Sequence, residues 1–293
     1  VSRWVERWWA ALGTHAHVQI CDGPRGLADR VVDVVEEMEA SWSRFRPSSD
    51  LCRLNSDPRE VVPVSPLLAE LLARAVVGWR ETDGWFDPSV LDALERAGYQ
   101  DSYSGEGSPR GRLVLEAAPG LAGVQVDPIT YLVRRPVGLR LDLGGIGKGW
   151  AADRLATWLL ERGARSVCVG FGGDIRVAGD APAGGWRIPV DDPAGSGPWF
   201  DAQLPSGAIV TSTTLLRRWR TEDGAPAHHL IDPRTGLPSR SGVHTVVVAA
   251  AEAWWAEVLA KAALVAGPQA GRALLDRHGV TAWMSTDEGV AAA

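Results

Sequence analysis

The chain has 293 residues, 45% hydrophobic and 23% charged, with a formal net charge of −6. That supply of apolar residues excludes a mainly disordered state, and no window approaches the roughly 18 uninterrupted apolar residues of a membrane span. The acidic balance excludes a global attraction for nucleic acid or anionic lipid, so a phosphate ligand has to be held by a local arrangement of donors.

Cys21, Cys52 and Cys168 are odd in number and far apart, which predicts free thiols rather than a disulfide framework or a structural zinc site. Residues 1–14 show neither a secretory h-region nor a lipid-anchor cysteine, so a cytoplasmic location is expected. Without internal repeats or a low-complexity linker, residues 1–293 read as one domain, with room for two lobes around a cleft.

The first predicted element is a strand over residues 14–21, where His15 and His17 alternate with Ala16, Val18 and Ile20. Leu27, Val31, Val34, Met38 and Trp42 then recur at helical spacing, predicting a helix over residues 27–45 that Pro47 closes. Ser65 as N-cap and Pro66 at N1 start a second helix, which Asp83-Gly84 stops. Residues 105–120 read as an exposed loop and residues 124–137 as a β-hairpin. From residue 140 to 177 the pattern is strand, glycine turn, helix, strand, glycine turn, strand; the helix starts near Trp150 and has Gly163 as its C′ residue. Strands follow at 208–211, 228–231 and 245–250, a helix at 253–265 and a last strand at 280–285. Strict βαβ alternation is missing, so the expected class is α+β.

Of the 30 basic residues other than histidine, only Lys148 and Lys261 are lysine. A chain that uses arginine by default keeps the compact, movable ammonium where a tight turn or buried slot needs it. Lys148 lies in Leu141-Asp-Leu-Gly-Gly-Ile-Gly-Lys-Gly-Trp150. Glycines that admit a close backbone, amides at a helix start and a lysine outline a phosphate cradle. Two familiar templates fail: Asp142 and Gly149 break the P-loop pattern, and Trp150 breaks G-x-G-x-x-G. A tight structural turn is the competing explanation of the glycines.

Two further segments bear on chemistry. Gly170-Phe-Gly-Gly-Asp-Ile-Arg176 links two short strands, either to let backbone approach a ligand or as a glycine-bulged hairpin with Asp174 in the turn. In His228-His-Leu-Ile-Asp-Pro-Arg-Thr-Gly236, adjacent strand histidines point to opposite faces, so only one can face a site. His229 precedes the Asp232-Pro233 turn; taken alone, it reads as structural more readily than catalytic.

Together these segments resemble the FAD:protein FMN transferase (ApbE) family. The resemblance rests on Ala11-Leu-Gly-Thr14, Ser43-Arg-Phe-Arg-Pro-Ser-Ser-Asp-Leu-Cys-Arg-Leu-Asn55, Gly84-Trp-Phe-Asp-Pro-Ser-Val90, the Lys148 segment, the Gly-Gly-Asp-Ile-Arg segment and His229-Leu-Ile-Asp-Pro-Arg-Thr-Gly236, in that order. It implies a T-fold-like α+β enzyme that moves FMN from FAD to a Ser or Thr hydroxyl of an acceptor protein and releases AMP. It further implies that Lys148 and the amides of Gly145, Ile146, Gly147 and Gly149 hold the pyrophosphate. By the same resemblance Leu12, Trp42, Phe45, Asp87, Gly173 and Ser212 border the nucleotide, and His229 stands near the reacting phosphate. Asp153 is a further candidate, with a helix-face salt bridge as its other reading.

Two departures stand out. Where the family pattern has Asp and Thr as Mg²⁺ ligands, with the carbonyl at Gly147, this chain has Glu257 and Lys261. A protonated lysine cannot coordinate a metal, so Lys261 is expected to replace part of the Mg²⁺ charge and to join Lys148 and His229 as a catalytic candidate, leaving Gly147 and Glu257 as the candidate ligands of a weakened, altered or absent Mg²⁺ site. Thr213 and Leu215 replace the pattern's Gly and Tyr, which bears on the acceptor side. FAD hydrolysis to FMN and AMP, and noncatalytic flavin binding or delivery, are the competing functions.

Overall fold

The computed structural model describes residues 3–102, 110–193, 195, 197–287 and 289–292. Its frame is an eight-stranded sheet of β1 (Trp4–Ala11), β2 (Thr14–Cys21), β3 (Ser166–Phe171), β4 (Asp174–Gly179), β5 (Gly207–Thr213), β6 (Val243–Ala250), β7 (Thr281–Thr286) and β8 (Gly289–Ala292). The strands lie side by side in chain order, each neighbouring pair antiparallel. With its flanking helices this is an α+β architecture, as expected.

The helices are α1 (Val31–Trp42), α2 (Asp50–Ser56), α3 (Pro66–Glu81), α4 (Leu91–Arg96), α5 (Gly147–Glu161), α6 (Ala253–Ala266) and α7 (Pro268–Arg277). Period-two alternation divides the apolar strand residues between two faces. Val167, Val169 and Phe171 of β3 join Val246 and Val248 of β6 in the main core beneath α5 and α6. Val177, Ile209 and Val247 pack on the other face, against the hairpin of Trp186–Asp191 and Pro198–Leu204.

Several expected elements stand with adjusted limits. β2 occupies the predicted residues, and α3 begins at Pro66, where the Ser65 hydroxyl accepts from the Leu68 amide at 3.3 Å. The helix expected over 27–45 divides into a 3-10 turn, Leu27–Asp29, and α1, which stops where Ser43 turns extended. α5 starts at Gly147, ahead of Trp150, and Gly163 takes φ +89° just past its C-cap. The expected hairpin is a short pair, Gln125–Val126 with Leu132–Arg134, joined by Val61–Pro63. Of the expected loop, 105–109 lie outside the described residues and 110–120 carry no regular structure.

Two predicted strands are corrected. Residues 140–143 carry no regular structure and join no sheet. The Asn55 side chain takes a partner strand's role, donating to Leu141 O and accepting from Leu141 N, both at 2.9 Å. Residues 228–231 are not continuous: one strand ends at His228 and the next begins at Ile231, leaving His229 in the break. β1, β8, α2, α4, α7 and the hairpin of Trp186–Asp191 and Pro198–Leu204 lie outside the expected elements.

Candidate functional site

The glycine bend opens α5. The Asp142 amide donates to Pro88 O at 2.8 Å, and its carboxylate accepts from the Gly144 amide at 2.8 Å, fixing the turn. Two glycines admit close neighbours. A Cβ on Gly147 would meet Trp42 Nε1 at 2.8 Å, and one on Gly149 would meet Ala253 O at 2.5 Å. The first α5 turn therefore lies directly on the start of α6.

That approach joins the two lysines. Glu257 Oε1 accepts from Lys148 Nζ at 2.6 Å and from Lys261 Nζ at 2.9 Å, while Oε2 accepts from the Gly149 amide at 2.8 Å. Lys148 also pairs with the buried Asp174. Asp174 is thus not the turn residue of its hairpin: Gly172 and Gly173 make the turn at φ +61° and +97°, and Asp174 opens β4 opposite Phe171. Burial raises the Glu257 pKa, but the two ammoniums outweigh it and hold the carboxyl at about 2. For Lys148, burial opposes charge, yet Asp174 and Glu257 prevail and hold its pKa above the ordinary range. Burial dominates at Lys261 and pulls its pKa down.

Above this cluster opens a cavity of about 360 Å³. Lys148, Lys261, Gly145 and Gly147 line it, together with Leu12, Trp42, Phe45, Asp87 and His229. The His229 Nδ1 is buried and has no hydrogen-bond partner among the described residues. Burial, followed by the charges of Arg217 and Lys261, holds the His229 pKa well below the ordinary range, so the ring is neutral. Burial also raises Asp87, against the pull of its hydrogen bonds from Ser89.

Other sequence candidates stand behind the wall. Ile146 is fully buried, Gly149 packs on α6, Glu257 underlies the lysines, Gly173 is exposed in its turn, and Ser212 is buried with an Oγ that has no partner among the described residues. Asp153 turns from the cavity: it accepts from the amides of Ala253 and Trp254 at 3.0 and 2.9 Å and pairs with Arg176 Nε at 3.0 Å. It caps α6, whose own N-cap residue Glu252 makes no side-chain cap bond. Asp174 and Arg176, two apart on β4, thus clamp Lys148 and Asp153 of α5.

Sequence reasoning missed three cavity arginines, Arg44, Arg46 and Arg217. Arg44 donates to Tyr99 O at 2.7 Å and stacks over the rings of Phe45 and Tyr99, 4.1 and 4.7 Å from their centroids. Arg217, at φ +49°, donates to Tyr99 Oη and Gly13 O, both at 3.3 Å. Arg44 and Arg46 lay within a quoted motif, and Arg217 follows the Thr213–Leu215 departure; none carries a local pattern distinguishing it from surface arginines.

Known proteins resemble this chain in sequence and fold. The ApbE family matches residues 12–284. The FAD:protein FMN transferase of Escherichia coli (strain K12) is 26% identical over 271 residues, covering 90% of this chain and 77% of that protein. Its counterpart from Treponema pallidum (strain Nichols) is 29% identical over 267 residues, covering 84% and 73%. The crystal structure of the ApbE protein from Thermotoga maritima MSB8 superposes with a TM-score of 0.87 at 28% identity, covering 99% of this chain and 97% of that one. The family match spans nearly the whole chain, from Leu12 of the cavity wall to beyond α6, and the chain therefore belongs to the ApbE family.

Proposed function

We propose that this protein transfers the FMN half of FAD to a Ser or Thr hydroxyl of an acceptor protein, with release of AMP. The observation that carries the reading is a single cavity lined by Lys148, Lys261 and the neutral His229, in a chain related to proteins named for that reaction. Attack on a pyrophosphate needs charge neutralisation, alignment and a proton acceptor. An ammonium has three N–H donors. Lys148 spends two on Asp174 and Glu257 and keeps one, while Lys261 spends one on Glu257 and keeps two. His229, uncharged and part of the cavity lining, accepts the hydroxyl proton. Leu12, Trp42, Phe45 and Asp87 form the flavin-side wall in this reading, while Gly173 and Ser212 lie outside the cavity lining.

The amides of Gly147 and Gly149 already donate to Leu143 O and Glu257, each at 2.8 Å, so the ammoniums rather than these amides hold the phosphates. FAD suits these donors; magnesium does not. Mg²⁺ demands a near-octahedral oxygen shell, but Glu257 Oε1 faces two ammoniums, Oε2 holds an amide, and position 261 offers no oxygen. We therefore derive no step through a metal. We also read the chain as one folding unit, because the main core runs from Ala16 to Met284, and place it in the cytoplasm on its free thiols.

Incubation with FAD, with and without a flavin-acceptor domain, tests the function. Flavin fluorescence that stays with the denatured acceptor, matched by AMP, is the expected result. Free FMN would support hydrolysis instead, and intact bound FAD a binding module.

A further inference from the structure

Lys148, Lys261, Asp174 and Glu257 form a buried set of two positive and two negative charges. Lys148 is shared between Asp174 and Glu257, and Lys261 completes the balance by reaching the same Glu257 oxygen from one turn along α6. Its aliphatic stem lies along the bend, where a Cβ on Gly145 would meet Lys261 Cδ at 3.4 Å. Lys261 also lines the cavity, and its two remaining donors have no partner among its hydrogen bonds to described residues. Such a group is more than a counter-charge for Glu257: it is a fixed cation with free donors beside the place where phosphate charge must be neutralised.

We propose that Lys261 is the resident cation of this site and that flavin transfer proceeds without a divalent metal. The inference deepens the transfer reading and rests on it. The acceptor oxygen forms a bond to the FMN phosphorus as the bond from that phosphorus to the bridging oxygen breaks. The bonding pair leaves on the AMP phosphate, and the hydroxyl proton passes to His229. Lys261 supplies charge and N–H donors to the departing oxygen and exchanges no electrons, so FAD and the hydroxyl balance against flavinylated protein, AMP and one proton.

The test compares AMP release by wild type and Lys261→Thr in chelator and across a Mg²⁺ titration. Wild type is expected to keep its rate in chelator. Lys261→Thr is expected to fall about 100-fold there, the scale of losing one transition-state donor, and to recover as Mg²⁺ is added. Wild type silent in chelator and restored by Mg²⁺ overturns the inference, as does a Lys261→Thr profile identical to wild type. Paramagnetic resonance of Mn²⁺ titrated into FAD-free wild type judges it independently of folding of the variant or of turnover. An unchanged free-Mn²⁺ signal is expected, and stoichiometric binding that Glu257→Gln abolishes overturns it. If wild type releases no AMP in any condition, the transfer reading fails, while the Mn²⁺ result still decides this one.

Discussion

Lys148 and Lys261 donate to the same oxygen, Glu257 Oε1, at 2.6 and 2.9 Å, though one opens α5 and the other lies within α6. No other lysine exists in the chain. Arginine serves the other pairs, exposed ones such as Arg187 with Asp201 and largely buried ones such as Arg176 with Asp153 alike. The buried junction keeps the ammonium, whose tetrahedral donors can meet Asp174, Glu257 and the cavity from one point.

This geometry predicts that Lys148→Arg will not preserve function. The planar fork cannot occupy the slot between two buried carboxylates without displacing one. AMP release from FAD should fall by about 100-fold or more, on the scale of losing an oxyanion donor. Wild-type turnover in Lys148→Arg would show that the shape of the cation is immaterial.

His229 makes a prediction about pH. Its pKa is held well below 6.5 by burial and nearby cations, so it remains a neutral base through the neutral range. The acid limb of kcat/KM should therefore lie well below the ordinary histidine value. On the alkaline side, the lowered Lys261 pKa should end activity before pH 10.5 is reached. His229→Ala should lose about 10²–10⁴-fold in rate, the usual share of a general base. A pH profile with its acid limb at the ordinary histidine value would contradict this assignment.

Glu257→Gln should destabilise the fold by about 3–5 kcal/mol at neutral pH, because two ammoniums would face an amide. The sign of its pH dependence follows from a folded pKa depressed to about 2 against an ordinary 4.5. Its stabilising contribution is present above the ordinary value and is lost as pH falls from there through about 2. Denaturant titrations should show that acid slope in wild type and its reduction in the variant; parallel curves would remove Glu257 as its source.

Gly149→Ala tests the helix contact that joins the lysines. The added methyl would meet Ala253 O at 2.5 Å, a backbone atom that cannot move aside alone. A cost of about 1–3 kcal/mol is expected from such overpacking, together with weaker flavin binding as the Gly149 amide leaves Glu257. Unchanged stability would mean that α5 and α6 separate more easily than their packing implies.

The chain-local features were legible where one segment satisfied its own requirements. Alternation set β2, Ser65 and Pro66 set the start of α3, and Gly163 set the end of α5. Reading failed where a distant group met the backbone's needs. Leu141 and Leu143 alternate with polar neighbours as strand residues do, yet Asn55 took the hydrogen bonds of Leu141. β1 escaped notice because Trp4, Val5 and Trp8 are exposed, leaving no clean apolar face at that sheet edge.

By itself the sequence determined the α+β class, the glycine bend ahead of a helix, and the selective retention of two lysines. Those properties depend on short-range periodicity, backbone freedom and residue chemistry. Only the tertiary structure decided that Asp174 leaves its turn to pair with Lys148, that Asp153 caps α6, and that Arg44 and Arg217 reach the cavity. A buried charge must find an opposite charge, but which one depends on how closely α5, α6 and β4 approach. That approach is set by packing between segments far apart in the chain, and it leaves no periodic trace in any one of them.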